Sequence, residues 1–105
     1  MSDQSTSHED KWARNEHLQF RAEARRNKLL GLWAAAELGL TGAEAEAYAK
    51  TVVVSDLKEP GEEDVFRKVA ADFRAIGVTI GDDDIHRKMD ELRAVAREQV
   101  RGEAQ

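Results

Sequence analysis

KWARNEHLQFRAEARRNKLLGLWAAAELGL, residues Lys11–Leu40, decides the fold, because it reads as one long helix with two different halves. The second half, Leu29–Leu38, is apolar on almost every side, which predicts burial in a core. The first half, Lys11–Lys28, carries six Lys or Arg against two Glu and shows no matching apolar face. A polar helix without a partner is normally unstable. We therefore expect this half to project from the body or to fold back loosely, available to a partner.

The remaining sequence predicts three shorter helices. Thr41–Glu44 has the pattern of a capping box, Pro60 marks a linker over residues 56–61, and Gly81 precedes a turn of three aspartates. The predicted helices span residues 10–38, 42–54, 62–76 and 82–101. Short connections make neighbouring helices antiparallel. The predicted fold is all-α, a small four-helix bundle with a long N-terminal helix.

Each helix carries an apolar stripe that we expect to face the core. The stripes are Leu29, Leu32, Trp33 and Ala36; Ala45, Tyr48, Ala49 and Val52; Val65, Phe66, Val69, Phe73 and Ile76; and Ile85, Met89, Leu92, Ala96 and Val100. Gly31 is costly inside a helix, so its presence predicts close approach of another helix. Gly39 is the expected residue just after the end of the first helix.

Length and composition bound the possible functions. At 105 residues the chain has room for one domain, which we expect over residues 10–105 after a disordered tail at residues 1–9. It has no cysteine, no apolar run long enough to span a bilayer and no recognisable signal peptide, so we expect no direct membrane insertion. The net charge of −5 lies entirely in residues 39–105, and an acidic body argues against nucleic acid as a partner.

No pattern in the sequence predicts an enzyme. His8, His17 and His86 have no nucleophile at a recognisable spacing, and solvated surface positions explain them. The aspartates 82–84 suit a helix N-terminus, which explains them without a metal ion. They also argue against reading the last two helices as a helix-turn-helix, because phosphates repel them. We expect no catalytic residue and no metal.

The cationic half of the first helix is the candidate functional surface. Charges of this kind usually lie on a helix face that water solvates. Two aromatic residues interrupt the charged face here. Exposed aromatic and Arg side chains together are typical of protein-binding hot spots. The predicted partner-binding residues are Lys11, Trp12, Arg14, Phe20, Arg21, Arg25 and Lys28. As an alternative, Arg25, Arg26 and Lys28 offer cations to the phosphates of a nucleotide.

Four segments together resemble a known family. They are FRAEARRNKLLGLWAAAELGL (Phe20–Leu40), AEAYAKTVV (Ala45–Val53), EDVFRKVAADF (Glu63–Phe73) and MDELRAVAREQV (Met89–Val100). With them, nearly the whole chain after Lys11 is similar to the zeta inhibitor subunits of alpha-proteobacterial F-type ATP synthases.

The resemblance implies a four-helix bundle whose N-terminal segment inhibits ATP hydrolysis. It implies partners in the catalytic and non-catalytic subunits of the soluble sector, and a cytoplasmic protein peripheral to the inner membrane. We expect a protein without a bound cofactor that is monomeric when free, with weak ATP or ADP binding as the alternative. Residues Met1–His8 depart from the family, since they lack the aromatic and Arg residues of strongly inhibitory members.

Overall fold

The computed structural model describes residues 16–58 and 62–103, and these residues form four α-helices. The helices are α1 (Glu16–Glu37), α2 (Gly42–Lys58), α3 (Glu62–Ile76) and α4 (Asp82–Glu103). No residue in these ranges lies in a strand, and the predicted all-α four-helix bundle is confirmed. The expected start of the first helix at residue 10 and the expected tail at residues 1–9 lie outside the described residues. None of the described helices is long and apolar enough to cross a membrane.

Three helix ends differ from the prediction, the smallest difference being that α1 ends at Glu37 instead of residue 38. Helix α3 has the predicted bounds, whereas α2 continues to Lys58 instead of ending at Val54, and α4 continues to Glu103 instead of residue 101. The extra turn of α2 follows from packing, because Asp56 continues the buried face of Val52 one turn further along the helix. Tertiary contacts of this kind outweigh weak local propensities, so the predicted linker at residues 56–58 is wrong.

Glycines end α1 and α3 in the same way. Gly39 has a φ of +83° and Gly77 a φ of +89°, a left-handed conformation that glycine adopts without strain. The amide of Leu40 donates to the carbonyl of Ala35 at 2.8 Å. The amide of Val78 donates to the carbonyl of Phe73 at 2.9 Å. These are Schellman motifs, which satisfy carbonyl groups that would otherwise lack a partner. The predicted role of Gly39 is confirmed.

The main core draws side chains from all four helices. Its fully buried members are Leu30, Ala34, Val52, Val65, Val69, Ala70, Phe73, Ile85 and Met89. Trp33 is only partly buried and packs edge-on against Phe73, with ring centroids 5.6 Å apart. Two stripe predictions need correction. Ile76 is exposed because it ends α3, and the buried face of α1 runs through Leu30 and Ala34, while Ala36 is exposed.

Helices α1 and α2 meet at Gly31. A Cβ atom at this position would lie 2.7 Å from the Cα atom of Ala49 and 3.1 Å from its Cβ atom. Only a residue without a side chain allows backbones to approach this closely. The close approach predicted from Gly31 is confirmed.

The first half of α1, which the structure describes from residue 16, is not free over residues 18–28. Ala22 is buried against Val100 of α4, and Leu18 packs on the same small cluster. Arg26 and Asn27 are buried as well. The expectation that this half projects or folds back loosely is therefore wrong for these residues, because α4 is long enough to run antiparallel beside them and supply their partners.

We predict that Gly31→Ala destabilises the protein although alanine is the better helix former. The added methyl group meets the backbone of Ala49, and we expect a loss of about 1–3 kcal/mol in the free energy of unfolding, measured by chemical denaturation. Gly102→Ala is the matched control, because apart from the adjoining part of its own helix nothing lies within 4 Å of its added Cβ atom. That variant should gain about 0.5 kcal/mol. Equal effects of the two substitutions would contradict the close contact.

Candidate functional site

A charged seam joins the first half of α1 to the C-terminal turns of α4. Arg21 Nη2 donates to Glu103 Oε1 at 2.7 Å, and Arg25 Nη2 donates to Glu103 Oε2 at 2.8 Å. Arg25 Nη1 also donates to Gln99 Oε1 at 2.8 Å. We call the two ion pairs of Glu103 the Glu103 bridge. All three of its side chains remain partly exposed to solvent, at 38%, 28% and 42% of the side-chain surface for Arg21, Arg25 and Glu103.

Arg26 lies next to the bridge but points into the protein, with 2% of its surface exposed. Its Nε donates to Asn27 Oδ1 at 2.7 Å, and its Nη1 lies 3.5 Å from Glu62 Oε1. Burial lowers the pKa of Arg26, while the nearby Glu62 carboxylate opposes that change. A guanidinium starts from so high a pKa that it stays charged. Glu62 is therefore the counter-ion that makes this burial tolerable.

Glu62 also forms an ion pair with a second cation, which lies on another helix. Its carboxylate also accepts from Arg93 of α4, so the N-terminus of α3 holds α1 and α4 together through one acidic side chain. The Nη2 atom of Arg26 has no hydrogen-bond partner in the described part of the chain. Glu62 is thus shared by two guanidinium groups, and Arg93 also pairs with Asp90 at 2.9 Å.

A pocket of about 230 Å³ opens beside Arg26. Its lining includes Arg26, Arg93 and Arg97, together with the carboxylates of Glu23 and Glu62. No side chain in residues 16–58 or 62–103 forms an ion pair with Arg97. The pocket thus contains two cations that could bind a ligand. Arg26 is buried and only partly hydrogen-bonded, and Arg97 has no ion pair within the described residues. That chemistry suits the anionic group of a ligand.

The outer surface of α1 presents a different kind of group. Phe20 is 56% exposed, which is unusual for a large aromatic side chain on a helix so rich in charge. His17 and Lys28 are also exposed on α1. An exposed aromatic ring on a helix that also carries cationic side chains is a surface that a protein partner can bind.

The structure separates the residues that the sequence grouped together. Of the predicted partner-binding set, Phe20 and Lys28 are exposed and Arg21 and Arg25 are engaged by Glu103. The remaining members, Lys11, Trp12 and Arg14, lie outside the described residues. Among the candidates for nucleotide binding, Arg26 lines the pocket, Arg25 faces Glu103 and Lys28 is exposed.

Sequence reasoning missed the partners of these cations, which come from α3 and α4. Glu103 and Gln99 complete the bridge, and Glu62, Arg93 and Arg97 complete the pocket. One signal was present, because an acidic residue in the last turn of a helix is disfavoured by the helix dipole. Glu103 occupies such a position, and the two Arg residues of α1 explain why it is tolerated.

Comparisons with known proteins agree with this architecture. A family model described as ATPase inhibitor subunit zeta matches residues 1–99. A solved structure, described as the solution NMR structure of a protein, is 48% identical in sequence, with a TM-score of 0.72. The match covers 82% of this chain and 98% of that one. A search of curated proteins found no match.

We predict that Glu62→Gln destabilises the junction of α1, α3 and α4. The substitution leaves the buried Arg26 without its counter-ion, and we expect a loss of about 1–2 kcal/mol in the free energy of unfolding. Glu63→Gln removes the same charge from the same exposed first turn of α3. Its effect should stay below about 0.5 kcal/mol. If denaturation curves show the same loss for both variants, Glu62 does not have this role.

Proposed function

Because this chain belongs to the ATPase inhibitor subunit zeta family, we propose that it is a regulatory protein, not an enzyme, that restrains ATP hydrolysis by F-type ATP synthase. The observation that carries the proposal is the extent of the family match, which spans residues 1–99 and so includes the whole first helix. We propose further that the protein binds the soluble catalytic sector, between its catalytic and non-catalytic subunits. With that partner, the proposed location is the cytoplasm, peripheral to the inner membrane.

The first half of α1 is the proposed docking element. Phe20 supplies an apolar anchor that is already exposed, at 56% of its surface. Arg21, Arg25 and Lys28 supply positive charge, which steers association with acidic surfaces. Residues 39–105 carry the net charge of −5, so this cationic face is the distinctive one for an acidic partner. Lys11, Trp12 and Arg14 extend the same proposal into the part of the chain before Glu16.

Phe20→Ala tests the apolar anchor. Loss of a hot-spot aromatic should raise the concentration needed for half-maximal inhibition of ATP hydrolysis about tenfold. Because Phe20 is exposed, the free energy of unfolding should change by less than about 0.5 kcal/mol. Ile76→Ala is the control, since Ile76 is another exposed apolar residue, 68% exposed, but ends α3. Inhibition unchanged by Phe20→Ala, or weakened equally by Ile76→Ala, would remove Phe20 from the docking surface.

Deletion of Met1–Gln19 tests the whole N-terminal element. The main core begins at Leu30, so the truncated chain should remain a helical bundle by circular dichroism. We expect its inhibition of the purified cognate enzyme to be abolished, because the leading part of the docking helix is absent. A truncated protein that folds and inhibits as well as the full chain would overturn the role proposed for this segment.

Nucleotide sensing is a second candidate function, and the Arg26 pocket is the observation that favours it. Two cations face this pocket with incomplete pairing in the described part of the chain, and phosphate oxygens are the acceptors that guanidinium groups bind best. ATP and ADP should then shift the amide resonances around Arg26 and Arg97. Arg97→Gln should reduce those shifts, and Arg87→Gln, on the same helix but outside the pocket lining, should not. Absence of shifts at millimolar nucleotide would exclude this candidate.

A further inference from the structure

The Glu103 bridge covers the cationic face that the proposed docking requires. Glu103 lies 2.7 Å from Arg21 and 2.8 Å from Arg25, residues one helical turn apart on α1. Gln99 adds a further acceptor to Arg25 at 2.8 Å. A carboxylate is also the group that an acidic protein partner offers to Arg. The carboxylate at the end of α4 therefore pairs with the same Arg side chains that a carboxylate of such a partner would bind.

The position of Glu103 is not explained by its own helix. It lies in the final turn of α4, where the exposed carbonyl groups make an acidic side chain unfavourable. The cations that compensate for this come from α1. A residue that conflicts with its local structure and is satisfied by another element indicates a role in holding the two elements together.

Before Arg26, which Glu62 ties to α3 and α4, the described part of α1 meets α4 through a small apolar cluster. The apolar contact between the first half of α1 and α4 consists of Ala22 and Val100, with Leu18 partly buried beside them. This cluster is separate from the main core, which begins at Leu30. Segments with few buried apolar contacts open at a lower free energy than the core does. We therefore expect residues 18–25, which we call the front of α1, to open from α4 at a lower free energy than the core does.

From these observations we infer that the last turns of α4 act as an internal substitute for an acidic partner, covering Arg21 and Arg25 until the front of α1 docks. The inference rests on the proposed function, and it adds a way in which docking through the same cationic face is regulated. The partner surface presents a carboxylate to two guanidinium groups one turn apart. Since the internal pairs are partly exposed, each stabilises the closed arrangement only modestly, and exchange for an equivalent partner is feasible.

Glu103→Gln in the full chain tests this inference. The substitution keeps the shape of the side chain and removes the charge that holds Arg21 and Arg25. Glu98→Gln is the matched control, because Glu98 lies on the same helix, is 77% exposed and pairs locally with Arg101. Both variants change the net charge of the protein equally. The first measurement is amide hydrogen exchange of residues 18–26 in the free protein.

The second measurement is binding of a short polyglutamate peptide, followed by the NMR shifts of Arg21 and Arg25. In Glu103→Gln we expect exchange about threefold faster and peptide affinity about threefold higher than in the wild type, the range expected for loss of a partly exposed ion pair. Glu98→Gln should match the wild type in both. Equal behaviour of the two variants in either measurement would overturn the inference.

Inhibition of the cognate ATP synthase separates this inference from the proposed function. If both are correct, Glu103→Gln should inhibit at about a threefold lower concentration than the wild type. Faster exchange with unchanged or weaker inhibition would show that the Glu103 bridge only stabilises the fold, which refutes the inference. If neither wild type nor variants inhibit, the proposed function fails, while the peptide measurement still decides whether Glu103 covers the cationic face.

Discussion

The close contact of Gly31 with Ala49 is the constraint on which the rest of the structure depends. It fixes which side of α1 faces α2. Because a helix is rigid, this contact sets the rotation of α1 about its axis along the whole helix. With Gly31 turned inward, Leu30 and Ala34 enter the core. The same rotation carries Arg26 and Ala22, one and two turns before Leu30, to the inside. The burial of a charged residue thus follows from the packing of a glycine.

That rotation creates an electrostatic problem, which α3 and α4 solve. A buried guanidinium without a counter-ion is strongly destabilising, and Glu62 at the start of α3 supplies the charge while also holding Arg93. The neighbouring cations on α1, Arg21 and Arg25, meet Glu103 at the end of α4. Burial makes Arg26 a fixed part of the junction, whereas solvent access leaves Arg21 and Arg25 able to change partners. This difference divides the cations of α1 into a structural member and proposed docking members.

Elsewhere the structure shows interactions that serve the fold rather than a site. Tyr48 donates to Asp72 at 2.7 Å, and Lys68 lies 3.0 Å from the same carboxylate. Burial and the contact with Asp72 raise the pKa of Tyr48, so the phenol stays protonated and keeps its role as donor. The contact ties α2 to α3 at the edge of the core. Its closed hydrogen bonding contrasts with the incompletely paired cations of the Arg26 pocket.

The sequence by itself determined the helical class, the stops at Gly39 and Gly77, and the close approach at Gly31, because these depend on local backbone chemistry and on apolar spacing. It also carried the resemblance that identifies the family. Only the tertiary structure decided which cations of α1 are covered, since Glu62, Gln99 and Glu103 are distant in sequence and no local pattern pairs them with Arg21, Arg25 or Arg26. Local spacing shows that charges share a helix face, but the neighbouring helices determine whether that face is buried, bridged or open.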